Sequence, residues 1–442
     1  MKKITKVLAG FLMVGMLFFS CKNNSSSVED EKKQEQDQSD PSQNTDQNKP
    51  VDEKVEAVTF NVAAGDVEEF TTVTLSSATA GAVIYYAYAE GEAASTLTKE
   101  NYSSAAKYEA PVEIVESGTL YAIAVKGNKV SEIKSAAYKT VAPADAMRNW
   151  TAESTATAYS VYKYADLEKL AEVVNGKNPL AGVTITQKKD IKINESVLGD
   201  KFAEPAEAEA CKPNADLINF AGIGSRKIPF SGTYDGNKKV ISGLYIYGNH
   251  QGLGFFGCIK NATVKNVIIV DGCVINSNES GPDDGSDDDR FGGLIGMSFD
   301  SSEESEGNVN TVENCIFVGT VGSDVAKQRA YPADNPCYEY IAGIVGRVEK
   351  KSTINLTNCY TLVNLNGTSV AALVKSVKGT VNCTDCYGVQ VAEKAEDRKV
   401  YTTDSKKVVL DAEDGISKAT VIEAAKTNCG IDLTDYFTKA GL

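Results

Sequence analysis

The chain has 442 residues and a formal net charge of −15, from 60 acidic and 45 basic residues. This length is enough for two or three domains, each of which can bury a core of its own. The excess of acidic residues argues against a nucleic-acid-binding protein and against a polybasic membrane-surface protein, because both classes need clustered Lys and Arg.

The first 20 residues are expected to be a targeting signal. Lys2, Lys3 and Lys6 flank the start of an uncharged apolar run over 7–19, which is shorter than the roughly 20 residues that cross a bilayer as a helix. The run ends with Phe-Phe-Ser-Cys over 18–21. This ending resembles the lipobox of bacterial lipoproteins, although most lipoboxes have Leu where this chain has Phe18.

The lipobox resemblance implies a signal peptide over 1–20 and a lipid-modified Cys21 that becomes the first residue of the mature chain. It places the protein in the bacterial cell envelope, anchored to a membrane by lipid, at the outer membrane or cell surface. The alternative is an ordinary secretory signal in which Cys21 is incidental. Two acyl signals on one residue suffice for stable anchoring.

Residues 21–57 are predicted to combine the lipid attachment site with a disordered tether. Ser, Asn, Gln, Asp, Glu and Lys dominate this segment after Cys21, and no aromatic residue occurs in it. Such a composition cannot offset the entropy cost of ordering the chain. The tether would hold the folded part of the protein away from a membrane.

Residues 58–140 predict a small antiparallel β-sandwich. Short runs rich in β-branched and aromatic residues are separated by glycines, as is typical of such sandwiches; the runs lie at 73–76, 83–86, 112–114, 120–125 and 135–138. The order TVTLSS, GAVIYYAYAEG, PVEI and GTLYAIAVKGNKVSEI resembles the immunoglobulin-like module at the C-terminus of chitobiases and hexosaminidases. In that family the module is an accessory, so the resemblance implies no activity.

The segment over 141–410 is predicted to be a right-handed parallel β-helix with a helical N-terminal cap. Its pieces DLEKLAEVVN, IPFSGTYDGNKKVISGLYI, GLGFFG, GGLIG and VENC occur in that order. The order resembles the GLUG-repeat β-helix region of bacterial surface proteins over about 160–392. The apolar spacing over 159–175 predicts the capping helix, which Gly176 ends.

Two short phrases recur four times in this segment, and such self-similarity is typical of stacked structural units. The first phrase begins at 252, 291, 341 and 370, and its glycines are expected at tight corners with positive φ. The second phrase contains a residue suited to left-handed corners, at Asn266, Asn314, Asn358 and Asp385. Stacked amides at these positions are expected to form a structural ladder. Uneven spacing predicts insertions over 276–290, 298–310 and 322–338.

Residues 411–442 are predicted to form a helical cap at the other end of the stack. A helix is expected over 417–427, followed by Leu-Thr-Asp-Tyr-Phe over 433–437. Both ends of a β-helix expose unpaired strand edges, so each needs a cover.

The ten cysteines allow three interpretations. Cys315, Cys359 and Cys386 follow the corner residue directly, which favours an inward stack of reduced thiols that act as small hydrophobes. A disulfide framework is the rival, because an exported protein meets oxidising conditions. Cys383 and Cys386 also form a C-x-x-C pattern, which allows a redox or zinc site. Residues three apart on a strand point to opposite faces, and this favours packing.

The remaining motifs do not assemble a catalytic set. The single histidine, His250, lies in a predicted turn, whereas a Ser-His-Asp hydrolase needs a histidine oriented by a carboxylate. An acidic cluster offers a candidate Ca²⁺ site, although its spacing fits no EF-hand loop and a solvated acidic loop is the rival; it consists of Asp283, Asp284, Asp287, Asp288 and Asp289.

These features predict a non-enzymatic binding or adhesion scaffold, without a cofactor, that contacts glycan or protein through the ridges and loops of the β-helix. The membrane, through the N-terminal lipid, is the other expected partner. The alternative is a carbohydrate-active enzyme, a polysaccharide lyase or hydrolase, that uses carboxylates on the same scaffold. A third hypothesis is a passive envelope-structural spacer. An enzyme would need two or more carboxylates that converge on one groove.

Overall fold

The computed structural model describes most of the chain from residue 54 onward; the described residues are 54–91, 97–199, 214–248, 252–277, 288–298, 307–323, 338–366, 370–391, 399–401, 407–409 and 416–442. The signal peptide, Cys21 and nearly all of the predicted tether lie outside these residues. The fold is mainly β, with several parallel sheets and three short α-helices. The prediction of a mainly β fold is confirmed.

The first ten strands form the N-terminal β-module, and most of their pairings are antiparallel. The parallel pairing of β2 with β10 is the exception. The strands are β1 (Thr59–Phe60), β2 (Gly65–Glu68), β3 (Thr71–Val73), β4 (Leu75–Ser76), β5 (Val83–Glu90), β6 (Ala106–Lys107), β7 (Val112–Ile114), β8 (Gly118–Lys126), β9 (Lys129–Val130) and β10 (Lys134–Val141).

The N-terminal β-module begins slightly earlier than the sequence predicts. Val55 and Val58 are both buried in its core, together with Val73, Ile114 and Leu120. The backbone N–H of Glu56 also donates to the side chain of Thr79. The prediction that the tether extends to residue 57 is therefore wrong by about three residues, because burial of Val55 fixes the chain from that point.

The remaining strands form four sheets that share one core. They are β11 (Ala158–Val161), β12 (Thr184–Gln187), β13 (Ile191–Lys192), β14 (Thr233–Asp235), β15 (Val240–Ser242), β16 (Tyr245–Gly248), β17 (Phe256–Ile259), β18 (Thr263–Lys265), β19 (Ile268–Asn276), β20 (Asp288–Gly292), β21 (Ile295–Ser298), β22 (Asn308–Glu313), β23 (Ile316–Ser323), β24 (Tyr338–Ala342), β25 (Val345–Val348), β26 (Ser352–Thr357), β27 (Tyr360–Asn366), β28 (Val370–Ala371), β29 (Val374–Val377), β30 (Thr380–Thr384), β31 (Tyr387–Gln390), β32 (Lys399–Tyr401) and β33 (Lys407–Val409).

The order of strands within each sheet shows how successive segments stack. A seven-stranded sheet runs β11-β12-β14-β18-β22-β26-β30, and a nine-stranded sheet runs β13-β15-β19-β23-β27-β31-β32-β33, with β16 also paired to β19. Two smaller sheets run β17-β21-β25-β29 and β20-β24-β28. All these pairings are parallel except those of β32 and β33. Each of the four repeats therefore adds one strand to the β17-β21-β25-β29 sheet, and the last three also add one to the β20-β24-β28 sheet.

The four copies of the first recurring phrase lie one above another. Phe256 pairs with Ile295, Ile295 with Val345, and Val345 with Val374. Aromatic and aliphatic side chains from all four sheets fill the shared core, which we call the central core. Stacking of the repeated phrases thus joins the sheets through one continuous interior.

The glycines of the recurring phrase are required for close approach and not for positive φ. Gly252 alone among them has a left-handed backbone, with φ of 78°. At Gly292 a Cβ atom would lie 1.9 Å from the backbone oxygen of Ile295, and at Gly343 it would lie 2.3 Å from that of Ala372. The expectation of positive φ throughout the phrase is wrong, because neighbouring backbone already occupies the space of a side chain.

The N-terminal helix is shorter than predicted. Residues 158–161 form strand β11, which pairs in parallel with β12 and buries Tyr159 and Val161. Helix α1 (Tyr164–Asn175) follows, and the carboxylate of buried Asp166 accepts hydrogen bonds from the backbone N–H groups ahead of it. Tyr159 and Val161 enter the central core, whereas the hydroxyl of Ser160 between them donates to Asp145; side chains that alternate in this way have the period of a strand.

The C-terminal helices pack on the flank of the nine-stranded sheet. Helices α2 (Lys418–Cys429) and α3 (Thr434–Lys439) bury Val421, Phe437 and other apolar residues against strands β19, β23, β27 and β31. We call this cluster the flank core. The predicted helix over 417–427 is confirmed, but the prediction that 411–442 caps the end of the stack is wrong.

The physical reason for the flank position is that the nine-stranded sheet is apolar on both faces. Along β19, Ile269 and Val274 enter the central core, whereas Ile268, Val270 and Cys273 enter the flank core. A sheet that is apolar on both faces needs a cover on each of them. Past β31 the same sheet continues with the antiparallel strands β32 and β33.

Ion pairs connect the N-terminal β-module to the segment around α1. Glu69 contacts both Arg148 and Lys163, and Arg148 also binds Asp166 at 2.6 Å. Phe70 stacks on Tyr162 with 5.4 Å between ring centroids. These charges are largely shielded from solvent, so the junction is more than a flexible linker.

Candidate functional site

The corner between the seven-stranded and nine-stranded sheets brings together the residues that the repeats predict. Asn266, Asn314, Asn358 and Asp385 directly follow β18, β22, β26 and β30, with φ of 55°, 53°, 51° and 51°. Asn and Asp enter this left-handed region more readily than other non-glycine residues. One residue type at one corner thus turns the chain from sheet to sheet in each repeat.

Three of these side chains form a directional hydrogen-bond ladder. The amide of Asn358 donates to Asn314 Oδ1, and that of Asn314 donates to Asn266 Oδ1, each over 3.0 Å. Asn266 then donates to Asp235 Oδ1 over 2.9 Å. Every amide nitrogen points toward the preceding turn, and the ladder ends on a carboxylate that can only accept.

Asp235 belongs to the ladder although the repeated phrases do not reveal it. It pairs in register with Lys265, one residue before the Asn position, and the equivalent corner residue is Gly236. Lys265 Nζ lies 3.2 Å from the Asp235 carboxylate. Burial alone would raise the pKa of Asp235, but hydrogen bonds from Asn266, the Asn237 backbone and Lys265 outweigh it and lower the pKa.

Asp385 shares the corner backbone but does not extend the ladder. Within the described residues, its side chain makes no hydrogen bond to Asn358, because a carboxylate lacks the amide N–H that would donate to Asn358 Oδ1. The ladder therefore stops one turn before the end of the stack.

Three cysteines lie on the inner side of the same corner. The thiols of Cys315, Cys359 and Cys386 each donate to the carbonyl two residues earlier, over 3.2, 3.4 and 3.3 Å. All three are fully buried in the central core. Burial is the main cause that raises the pKa of Cys359. A small side chain with a weak donor suits this position, so the repeated cysteine has a structural reason.

The seven described cysteines carry reduced thiols; they are Cys258, Cys273, Cys315, Cys359, Cys383, Cys386 and Cys429. The expectation that Cys383 and Cys386 point to opposite faces is wrong. Cys386 lies in the central core and Cys383 packs against that core, because the left-handed Asp385 bends the chain between them.

A buried ion-pair cluster lies beside the smaller sheets. Glu349 Oε1 lies 2.7 Å from Arg347 Nε and 3.5 Å from Arg290 Nε. The guanidinium carbon of Arg347 is 5.0 Å from the ring centroid of Tyr340. Both arginines are at most 4% exposed. We assign this cluster a structural role, since the three charged side chains face one another inside the protein.

A cavity of about 250 Å³ lies between the segment over 221–225 and the first recurring phrase. Asn175 closes one side, since its side chain donates to the Gly222 carbonyl and accepts from the Gly224 N–H, each over 3.0 Å. Ile246 and Leu253 also line it. Glycines, Ala221 and Ser225 complete its described lining, which contains no carboxylate.

The other predicted site residues either lie outside the described residues or have only their backbone described. Cys21, His250, Asp283, Asp284 and Asp287 lie outside the described residues. Asp288 and Asp289 belong to strand β20, where only their backbone is described. Among the described residues, no group of three or more His, Cys, Asp or Glu side chains could hold a metal ion. No helix in that part of the chain is long and apolar enough to cross a membrane.

Comparisons with protein-family models, with curated proteins and with solved structures found no match to this chain. The functional argument therefore depends on the residues and on the stacked sheets.

Proposed function

We propose that this chain is a lipid-anchored protein of the bacterial cell envelope that acts as a non-enzymatic binding or adhesion scaffold for glycan or protein. In this proposal, Cys21 carries the lipid and the segment after it is the tether. The N-terminal β-module is an immunoglobulin-like sandwich, and the stacked sheets form a right-handed parallel β-helix.

One observation carries the proposal: each repeat adds in-register strands to sheets that share a single core. From β18 to β30, one strand follows another in the seven-stranded sheet without a change of direction. Parallel strands lie about 4.8 Å apart, so successive repeats present equivalent side chains at regular intervals. A rigid, regular surface of this kind favours binding to an extended partner such as a polysaccharide.

The described polar clusters support a scaffold more than a catalyst. The Asn side chains of the ladder bond one another, the thiols bond backbone carbonyls, and among the described side chains Glu349 pairs with two arginines. Glycoside hydrolysis needs two carboxyl groups that flank a substrate. These polar groups therefore stabilise the fold.

A glycan array tests the binding proposal. The soluble chain over 54–442, whose residues from Val55 onward form one compact unit, would be applied to acidic and neutral polysaccharides. We expect retention of at least one glycan class without any shortening of the chain, as measured by size-exclusion chromatography. Depolymerisation would favour the enzyme hypothesis. Retention of no glycan and of no envelope protein would favour the spacer.

The anchoring proposal has its own test. Cys21→Ala should release the protein from the membrane fraction, whereas Ser25→Ala, in the same segment, should leave it bound. Protease treatment of intact cells then distinguishes the cell surface from the periplasm. Unchanged membrane association of Cys21→Ala would contradict the lipid anchor.

A further inference from the structure

The outer face of the N-terminal β-module carries three tyrosines. Ile84 of β5 and Leu120 of β8 belong to the module core, so the alternate residues of these strands point to the opposite face of the sheet. Tyr85 and Tyr121 lie on that outer face. Tyr102, from a 3₁₀ turn, packs on Tyr85 with 5.3 Å between ring centroids. We call these three residues the tyrosine platform.

The ring of Tyr121 is partly open to solvent because its neighbours across the sheet are small. It lies opposite Ala87 on β5 and Ser135 on β10, whereas a larger cross-strand side chain would pack on the ring. Tyr85 pairs with Ile123, two residues along β8, and is therefore a diagonal neighbour of Tyr121, about 7–8 Å away. All three tyrosines of the platform are half-buried. The platform thus presents aromatic surface that the module does not cover.

The hydroxyls of the platform are free to bond a ligand. Within the described residues, none of the three makes a hydrogen bond to a protein group. On the core side of the same sheet, by contrast, the hydroxyls of Tyr88 and Tyr138 donate to the carbonyls of Glu116 and Val62. A tyrosine combines an apolar ring with a polar tip, and such side chains are enriched in binding sites.

The charge of this face indicates the class of ligand. All the outer-face residues of β5 and β8 are uncharged; they are Val83, Tyr85, Ala87, Ala89, Thr119, Tyr121, Ile123 and Val125. The formal charge of −15 on the whole chain repels an acidic polymer. A neutral sugar is complementary to such a face, because it has an apolar C–H surface and uncharged hydroxyls at its edge.

We propose that the tyrosine platform is a binding site for neutral glycans, in which the rings of Tyr121 and Tyr85 stack on successive pyranose units. The inference rests on the proposed glycan-binding function and assigns a glycan site to the N-terminal β-module. The C–H face of glucose or N-acetylglucosamine packs on a tyrosine ring, and the hydroxyls of the platform and of Ser135 bond the sugar hydroxyls. Because each ring contacts one unit, affinity should rise with glycan length.

Isothermal titration calorimetry of the full chain, purified in a detergent without a sugar headgroup, tests the platform. The probes are β-1,4-linked hexamers of glucose and of N-acetylglucosamine, the two monosaccharides, and the acidic polymer polygalacturonate. We expect the wild-type chain to bind at least one neutral hexamer, to bind the monosaccharide more weakly and not to bind polygalacturonate. Tyr121→Ala and Tyr85→Ala should each lower the affinity roughly tenfold or more, as removal of an aromatic anchor does.

Two control variants isolate the contribution of the ring. Tyr121→Phe keeps the ring and should retain most of the affinity. Tyr436→Ala removes a half-buried tyrosine of α3, outside the module, and should leave the affinity unchanged. Circular dichroism and urea unfolding check that each variant is folded. If Tyr85→Ala does not fold, Tyr121→Ala decides, because the small neighbours of Tyr121 lose little packing when its ring is removed.

Each negative result contradicts a different claim. A neutral hexamer that folded Tyr121→Ala binds as tightly as the wild type overturns the platform and leaves glycan binding elsewhere on the protein. Binding of polygalacturonate and of no neutral hexamer overturns the assignment to neutral glycans. A wild-type chain that binds none of these glycans overturns the platform together with the glycan part of the proposed function.

Discussion

The Asn ladder at the sheet corner allows a sharp test with Asn314→Ala. This substitution removes two hydrogen bonds, to Asn266 and from Asn358, and places a Cβ-bearing residue without a polar side chain at φ of 53°. The residue is half-buried, so each hydrogen bond contributes about 0.5–1 kcal/mol. The left-handed backbone costs alanine about 1 kcal/mol more. We expect a loss of about 2–3 kcal/mol in unfolding free energy.

Asn314→Gly is the matched control, because glycine adopts the left-handed backbone without steric cost. It loses the same hydrogen bonds and should be less destabilised than the alanine variant by about 1 kcal/mol. Urea unfolding followed by circular dichroism measures both, provided that the slope with denaturant is unchanged. On an ordinary strand, glycine is the worse substitution. A glycine variant at least as unstable as the alanine variant would refute the corner argument.

Four further predictions follow from single contacts. Asp385→Asn supplies the missing donor to Asn358 and should stabilise the protein by about 0.5–1.5 kcal/mol in urea unfolding; a destabilised variant would contradict the directional ladder. Glu349→Gln leaves two buried arginines without their carboxylate and should cost about 3 kcal/mol, measured the same way; a neutral effect would show that the cluster is not an ion pair. Phe437→Ala, in the flank core, should cost about 3 kcal/mol and lower the melting temperature, which a C-terminal segment detached from the sheet would not show. The lowered pKa of Asp235 adds stability that is present above pH 3.8 and is lost as pH falls through the folded-state value; Asp235→Asn should flatten the pH dependence of unfolding in that window, and an unchanged profile would exclude this carboxylate as its source.

Several features could be derived from the sequence because they depend on local chemistry or on repetition. The recurring phrases predicted strands that lie one over another, since self-similar segments are typical of stacked structural units. The residue at Asn266, Asn314 and Asn358 predicted the left-handed corner, because few side chains tolerate that backbone. The predicted helix over 417–427 is present as α2, which Ser417 caps and the left-handed Gly430 ends.

Other features were decided only by tertiary structure. The partner of Asn266 is Asp235, from a turn that lacks the repeated phrase, so no local pattern names it. Both faces of β19 are apolar, so the C-terminal helices cover its outer face and not the end of the stack. A side chain at Gly343 would meet the backbone oxygen of Ala372 from the next copy of the phrase, a contact that one chain segment alone does not contain. Cys383 and Cys386 both face the central core because the left-handed Asp385 bends the chain between them, whereas their spacing on an extended strand would put them on opposite faces. In each case the deciding contact joins residues from different turns or depends on a bend, and linear spacing does not carry that information.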